Sequence, residues 1–423
     1  MNDFSAERIL WINDKTVGGG AGKLYRTAVA VLGSRGAVVA PFFGLSLPGE
    51  VPEEFVDLQP ARLSDGDYAG FLRRSLGDAK LIAQLRRMRA HFSPTVVVVQ
   101  NCHKYIGPDV IIEVQSWGIP VVLLVNDYGI YCANCYGWRA GAICHACIDH
   151  RFVRAVWKGC ALRPGFVSKA MSATRTLSLA LAWRKDAYFK AHAVLTAGAI
   201  FRERLVAAGF AAERVHAGIF PLVVTGRPVE WSPPAADGVP RFVYYGSDLL
   251  VKGQGLLLES IRHIRQRCRV ELYVLKPSPE LRAMVTLAAG ANPAVELLLD
   301  AESKWESGVR EAVLASRAVL VPSVWESPHE LVVYESMALG RPVITTSCSS
   351  NSELIQDGVD GYVVSAADPA ELAARIDVLA QDHAGASEMG RRAALRYEEH
   401  MRPERWAEDF WAVMGIARKH SGL

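Results

Sequence analysis

In the second half of the chain, a helix start and a carboxylate fall at a spacing suited to binding an anion and a pair of hydroxyls. Residues 321–344 run VPSVWESPHELVVYESMALGRPVI. This pattern predicts a buried strand ending at Pro322-Ser323, a polar loop, and a helix beginning near Leu331. A helix start turns unpaired backbone N–H groups and the positive end of its dipole toward the preceding loop, which suits a diphosphate. Glu335 stands one turn inside, where a carboxylate can accept paired hydrogen bonds from vicinal hydroxyls such as those of a ribose. Glu326, Ser327, His329, Glu330, Leu331 and Val332 fill the loop and the helix start around it. Upstream, a strand leads to Gly246-Ser247 and then Lys252-Gly253.

Three other stretches could carry chemistry. Gly18, Gly19, Gly20, Ala21 and Gly22 form a turn whose backbone can approach a ligand closely and aim its amides at oxyanions. It is not a P-loop, which would need Gly at Val17 and Ser or Thr at Leu24. Nor is it a dinucleotide fingerprint, which would need Gly at Lys23 or Tyr25. Cys132-x-x-Cys135 and Cys144-x-x-Cys147 have a spacing that can wrap a tetrahedral zinc, and Cys160 beyond them is an alternative ligand. Four thiolates would close the coordination sphere, so such a zinc would be structural. Cys102, Cys268 and Cys348 read as packing residues. From residue 151 to 190, nine Lys or Arg residues accompany a single acidic one, Asp186, interleaved with Phe152, Val156, Trp157, Leu162 and Phe166. Such a stretch either lies on an anionic membrane face or is a solvated basic helix over a core. It has no stacking-platform motif, so no nucleic-acid partner is expected.

The elements that must position these residues alternate between strand and helix. Residues 9–12, 37–43, 95–99 and 119–125 read as strands, with helical stretches at 23–32 and 108–117. Residues 225–240, TGRPVEWSPPAADGVP, have no periodicity and read as a linker. After it come strands at 242–245, 270–275, 318–321 and 342–345, separated by helices at 255–265, 307–315 and 331–339. This alternation predicts an α/β chain of two doubly wound, Rossmann-like domains, 1–225 and 241–402, with a cysteine-rich insertion near 126–160. Residues 403–419 are apolar at helical spacing through Trp406, Phe410, Trp411 and Met414.

Composition narrows the class. With 423 residues, half of them apolar and 22% charged, the chain is long enough for two cored domains and is neither disordered nor fibrous. A net charge of +3 is too small to point to a nucleic-acid partner, so any electrostatic footprint is local. No apolar run approaches the roughly 18–20 residues that span a bilayer, and the N-terminus lacks the order of a signal peptide. The expected location is therefore the cytoplasm; if 151–190 lies on a membrane, the attachment is peripheral and on its inner face.

The 321–344 pattern resembles the nucleotide-sugar site of retaining GT-B glycosyltransferases of family 4, P-S-x-x-x-E-(seven residues)-E-A-M-A-x-G-x-P-V-I. Glu353, Leu354 and Ile355, with Asp357-Gly358-Val359-Asp360-Gly361, resemble that family's downstream ending. The resemblance implies two domains facing each other across a cleft, with the donor on the C-terminal one and the acceptor on the N-terminal one. It also implies a C-terminal helix, 403–423, returning to the first domain. The implied activity is metal-independent transfer of a sugar, with retention, from a nucleoside diphosphate sugar to a hydroxyl of a saccharide or lipid-linked acceptor, as in surface polysaccharide synthesis. Lys252, Glu326 and Glu335 would be the catalytic residues. Gly19, Gly20, Gly246, Ser247, Lys252, Ser327, His329, Glu330, Leu331, Val332 and Glu335 would surround the donor.

The chain also departs from the family pattern. Eight residues before Glu335 stands Ser327, so Glu326 is one residue off register: either it swings in through an altered loop or the sugar contact differs. Ser247 stands where the family usually has an arginine. The region 126–160 resembles a subset carrying H-D-Y and a cysteine cluster, which aligns Cys132, Cys144, Cys147 and Cys160, and Asn126 replaces its histidine. Alternative readings are a protein of this fold that binds without transferring, or an epimerase of sugar nucleotides.

Overall fold

The computed structural model describes residues 3–15, 19–46, 49–61, 68–103, 105–160, 166–226, 232–233 and 238–422. The chain divides into two units, Met1–Leu222 with Pro403–Leu423, and Val223–Arg402. Among the described residues no helix is long and apolar enough to cross a membrane.

The first unit is built on a six-stranded parallel sheet in the order β2-β1-β3-β4-β7-β8. Its strands are β1 (Arg8–Lys15), β2 (Val38–Leu45), β3 (Val96–Asn101), β4 (Val121–Val125), β7 (Ala193–Ala197) and β8 (Val215–Gly218). β3 and β4, VVVVQN and VVLLV, are buried almost throughout, because helices cover both faces of a parallel sheet. Between β4 and β7 the chain leaves the sheet for a small module around the two-residue hairpin β5 (Trp138–Arg139) and β6 (Ala142–Ile143).

The last helix, Pro403–Ser421, belongs to this first unit. Trp406, Phe410, Val413, Met414 and Ala417 share one core with Ile9, Trp11 and Leu195. Asp409 accepts a hydrogen bond from the Ile219 amide at 3.2 Å. A Cβ at Gly218 would stand 2.7 Å from that carboxylate, so any side chain there would have to displace Asp409.

The second unit repeats the plan. β9 (Arg241–Gly246), β10 (Cys268–Val274), β11 (Val295–Asp300), β12 (Ala318–Val321), β13 (Val343–Thr346) and β14 (Gly361–Val364) form a parallel sheet ordered β11-β10-β9-β12-β13-β14. The chain runs outward from β9 to β11 and then crosses back to β12 on the other side. The order therefore reverses between β9 and β12, and the carboxyl ends of those two strands flank the crevice where open α/β sheets bind ligands. Lys252 follows β9 and residues 322–330 follow β12, so the topology brings together the two segments singled out by sequence.

Candidate functional site

The loops after β9 and β12 are in contact. Gly253 has φ +77°, and a Cβ there would fall 1.7 Å from the Pro322 carbonyl oxygen. Only glycine meets both conditions. The Val324 amide donates to the Val251 carbonyl at 3.0 Å. Gln254, 2% exposed, donates to the Ser247 carbonyl at 2.8 Å and holds the exposed Gly246-Ser247 corner. The β9 loop thus has little freedom, and Lys252 at its end projects toward the β12 loop.

There Lys252 Nζ meets Glu330 Oε2 at 2.7 Å and lies 5.6 Å from the centre of the Trp325 ring. Ser323 Oγ donates to the other Glu330 oxygen, and the Glu330 amide donates to Asn351 Oδ1 at 2.7 Å. Burial alone would raise the Glu330 carboxyl, but Lys252 and the hydroxyl donor hold it below its ordinary value of 4.5. Glu330 is also the N-cap residue of the helix Leu331–Ala338, and no side chain caps that helix. Glu326 is 7% exposed and Ser327 fully buried. Burial, with Glu326 and Glu330 nearby, raises the neighbouring Cys348 thiol. The carboxylate against Lys252 therefore comes from Glu330 and not from position 326 or 327.

Glu335, 4% exposed, accepts a hydrogen bond from Tyr245 OH at 2.9 Å. Tyr245 is the last residue but one of β9, and its ring centre lies 5.8 Å from that of Trp305. Sequence reasoning passed over Tyr245 and Trp305, because a tyrosine ending a strand and a tryptophan before a helix read as packing. The only signal was their position at the carboxyl edge. His329 is 5% exposed; its Nδ1 lies 2.9 Å from Tyr334 OH and its Nε2 3.9 Å from Glu353. It ties the loop to the helix Leu331–Ala338.

The remaining candidates lie in the first unit. Gly18 is outside the described residues. Gly19 and Gly20 do not form a free loop: they open the helix Gly19–Gly33, since residues that need no side-chain room are tolerated in a first turn. Cys132, Cys144, Cys147 and Cys160 line one cavity of about 20 Å³. Cys135 stands apart, with its sulfur 3.5 Å from Arg175 Nη2. As placed, no group of three or more His, Cys, Asp or Glu side chains among the described residues is set to hold a metal ion. Within the basic stretch 151–190, the long helix Phe166–Arg184 buries Arg175, Leu179, Ala182 and Trp183.

Comparisons with known proteins bear on the fold and on the second domain. Residues 239–382, about a third of the chain, match the family described as "Glycosyl transferases group 1". Spore coat protein SA of Bacillus subtilis is 32% identical over 92 residues, 22% of this chain, and the chain spans about a quarter of that relative, 24%. Sucrose-phosphate synthase from Thermosynechococcus elongatus superposes with a TM-score of 0.65 at 15% identity, covering 98% of each chain. HepE from Anabaena, solved with UDP and glucose, gives 0.61 at 14% identity, covering 96% of this chain and all of that one. A glycosyltransferase from Rickettsia africae gives 0.63 at 11%, covering 97% and 98%. The likeness to these structures establishes the fold as that of GT-B glycosyltransferases, and the family match covers the domain that holds Lys252, Glu330 and Glu335.

The Lys252–Glu330 pair predicts a pH-dependent stability term. A carboxyl lowered in the folded state contributes above its ordinary value of 4.5 and loses that contribution as pH falls through the lower folded value. Glu330→Gln should therefore cost about 1.5–3 kcal/mol at pH 7, the range for a hydrogen bond to a charged group. In urea unfolding series, the gap from the parent protein should narrow as the pH drops below 4.5. A gap that does not change with pH would show that the ion pair contributes nothing to folding.

Proposed function

We propose that this chain is a glycosyltransferase that moves a sugar, with retention, from a nucleoside diphosphate sugar to a hydroxyl of a saccharide or lipid-linked acceptor. The observation that carries the reading is the cation, the uncapped helix start and the buried carboxylate assembled at the switch point of a domain matching group 1 glycosyl transferases.

In the reaction, the bond between the sugar's anomeric carbon and the diphosphate oxygen breaks, and the electron pair leaves with the diphosphate. The acceptor oxygen forms the new bond and gives up its proton. Negative charge thus grows on the leaving diphosphate, and a site accelerates the step by stabilising that charge. Lysine carries three donors. One of Lys252's is taken by Glu330, which leaves two to meet phosphate oxygens. The N–H groups of Leu331 and Val332 add the helix-start field. Glu335 would accept from the ribose hydroxyls, oriented by Tyr245, with Trp305 beside it. Glu330 would take over the role the family pattern gives to a glutamate at position 327, three residues earlier: it fixes Lys252 and offers an oxygen to donor hydroxyls. Glu326 keeps a supporting place. Lys252 and the helix amides meet the anion without the arginine that Ser247 replaces. By its family resemblance the enzyme works at the cytoplasmic membrane face in surface polysaccharide assembly and needs no metal for transfer.

The test is a thermal-shift screen against nucleoside diphosphates and their sugars, followed by turnover assays with the sugar nucleotide that binds. One nucleotide class should stabilise the protein by mass action, and Glu335→Ala should weaken its binding by about tenfold or more, the equivalent of a lost charged hydrogen bond. Binding without transfer or hydrolysis would favour a non-catalytic binding protein. Release of an altered free sugar nucleotide without acceptor would favour an epimerase.

A structural zinc is the accompanying proposal for the cysteines, with Cys132, Cys144, Cys147 and Cys160 as ligands and Cys135 outside the set. Its support is the shared cavity and the backbone amides of Gly137 and Asn134 that point at the Cys132 sulfur. The thiol side chains would have to turn inward to close on the ion. Elemental analysis of the purified protein should find one zinc per chain, retained by Cys135→Ser and lost by Cys160→Ser. A metal-free protein would refute the proposal.

A further inference from the structure

A nucleotide is a linear ligand: base, ribose and diphosphate follow one another, so fixing two of the parts sets the side on which the third lies. In the proposed reading, Lys252 and the start of the helix Leu331–Ala338 meet the diphosphate and Glu335 meets the ribose. The base then lies beyond Glu335, on the side away from Lys252. Tyr245 marks that side, because its hydroxyl reaches Glu335 from the end of β9. There the segment returning from β11 brings in Trp305, whose ring plane is tilted by 41° to that of Tyr245 at a centre distance of 5.8 Å.

The segment is held firmly, and holding it takes up its own donors. Asp300, the last residue of β11, accepts from the Glu302 and Ser303 amides at 2.8 Å each and from Ser303 Oγ at 2.6 Å. The Lys304 amide donates to Ser307 Oγ at 3.1 Å, and the amides of Ser307 and Val309 both donate to the Lys304 carbonyl at 3.1 Å. Gly308 closes the turn with φ +136°, where a Cβ would fall 2.9 Å from Ser303 Oγ. The backbone N–H groups of Glu302, Ser303, Lys304, Ser307 and Val309 are thus engaged within the segment, and none of them remains to pair with the edge of a base. The half-buried indole of Trp305 offers an aromatic ring instead.

We propose that Trp305 is the platform on which the nucleobase of the donor stacks, so that the base is held by its aromatic face and not by hydrogen bonds from this backbone. Every base has a π-face, and stacking on an indole needs only an offset approach of the two rings. Because Trp305 packs beside Tyr245, which orients Glu335, one aromatic pair aligns base and ribose together. The inference rests on the proposed transfer reading and deepens it: the stacked base is the group that separates a nucleoside diphosphate from a simple sugar phosphate.

The experiment is calorimetry on the full chain with whichever of UDP, GDP and ADP binds tightest, with its deoxyribose form, and with the ribose diphosphate that lacks a base. Two ratios are read for each variant. The first, nucleotide over base-free ligand, reports the base; the second, nucleotide over deoxyribose form, reports the ribose. Trp305→Ala should shrink the first ratio by about tenfold, the order expected for a lost base–aromatic stack, and leave the second unchanged. Trp305→Phe, which keeps a flat ring, should retain most of the first. Tyr245→Phe, which removes the hydroxyl bound to Glu335, should shrink the second and spare the first. Each ratio is taken within one variant, so a general loss of stability does not move it. A first ratio left intact by Trp305→Ala would overturn the proposal. So would a fall in the second ratio instead, which would make Trp305 a prop for Tyr245. In both cases nucleotide binding that still depends on Glu335 leaves the transferase reading standing, whereas no binding by any nucleoside diphosphate would sink the two together.

Discussion

The contact between Gly253 and the Pro322 carbonyl sets the geometry on which the whole candidate site depends. Two loops leave adjacent parallel strands at the switch point, and they can approach this closely only because position 253 has no side chain and takes a positive φ. That approach brings Lys252 to Glu330. Glu330 in turn begins the helix that carries Glu335 one turn along, and Tyr245 reaches Glu335 from the end of β9. Cation, helix start and carboxylate therefore form a single assembly whose spacing is fixed by backbone packing, the preorganisation that stabilising a leaving diphosphate demands.

Much of this assembly was legible in the sequence, because its parts are local. The β-branched run of β3, the strand before Pro322 and the helix starting at Leu331 follow from short-range pattern and punctuation, and the alternation of elements gave the doubly wound class. β7, β8, β11 and β14 were not picked out as strands. β8 and β14 have four residues each and β11 is only half-buried, so their apolar patterns are short or broken by polar groups. The glycine run was read as a turn, although its described part opens a helix. A first helical turn and a tight turn share the same local preferences, and the structure beyond them decides.

The carboxylate beside Lys252 could not be read from spacing. Register against a family pattern pointed to Glu326 or to a missing glutamate at Ser327, whereas Glu330 makes the contact from the N-cap position of the helix. Which oxygen reaches a lysine depends on how a loop folds in three dimensions, and a shift of three residues in sequence can leave the charge in nearly the same place. The same holds for the cysteines: Cys135 has the spacing of a ligand, but the buried Arg175 draws it aside while Cys160 joins the cavity from farther along the chain.

The central claim is that Lys252 with the helix start reads a diphosphate while Glu335 reads a ribose. Calorimetry that separates the two halves of the ligand tests it most directly. The preferred nucleoside diphosphate, its phosphate-free nucleoside and its deoxyribose analogue would be titrated into the parent protein, Lys252→Ala and Glu335→Gln. The account predicts that Lys252→Ala loses most of the preference for diphosphate over nucleoside but keeps the preference for ribose, and that Glu335→Gln does the reverse. Equal losses in both preferences from either substitution, or none from both, would contradict it.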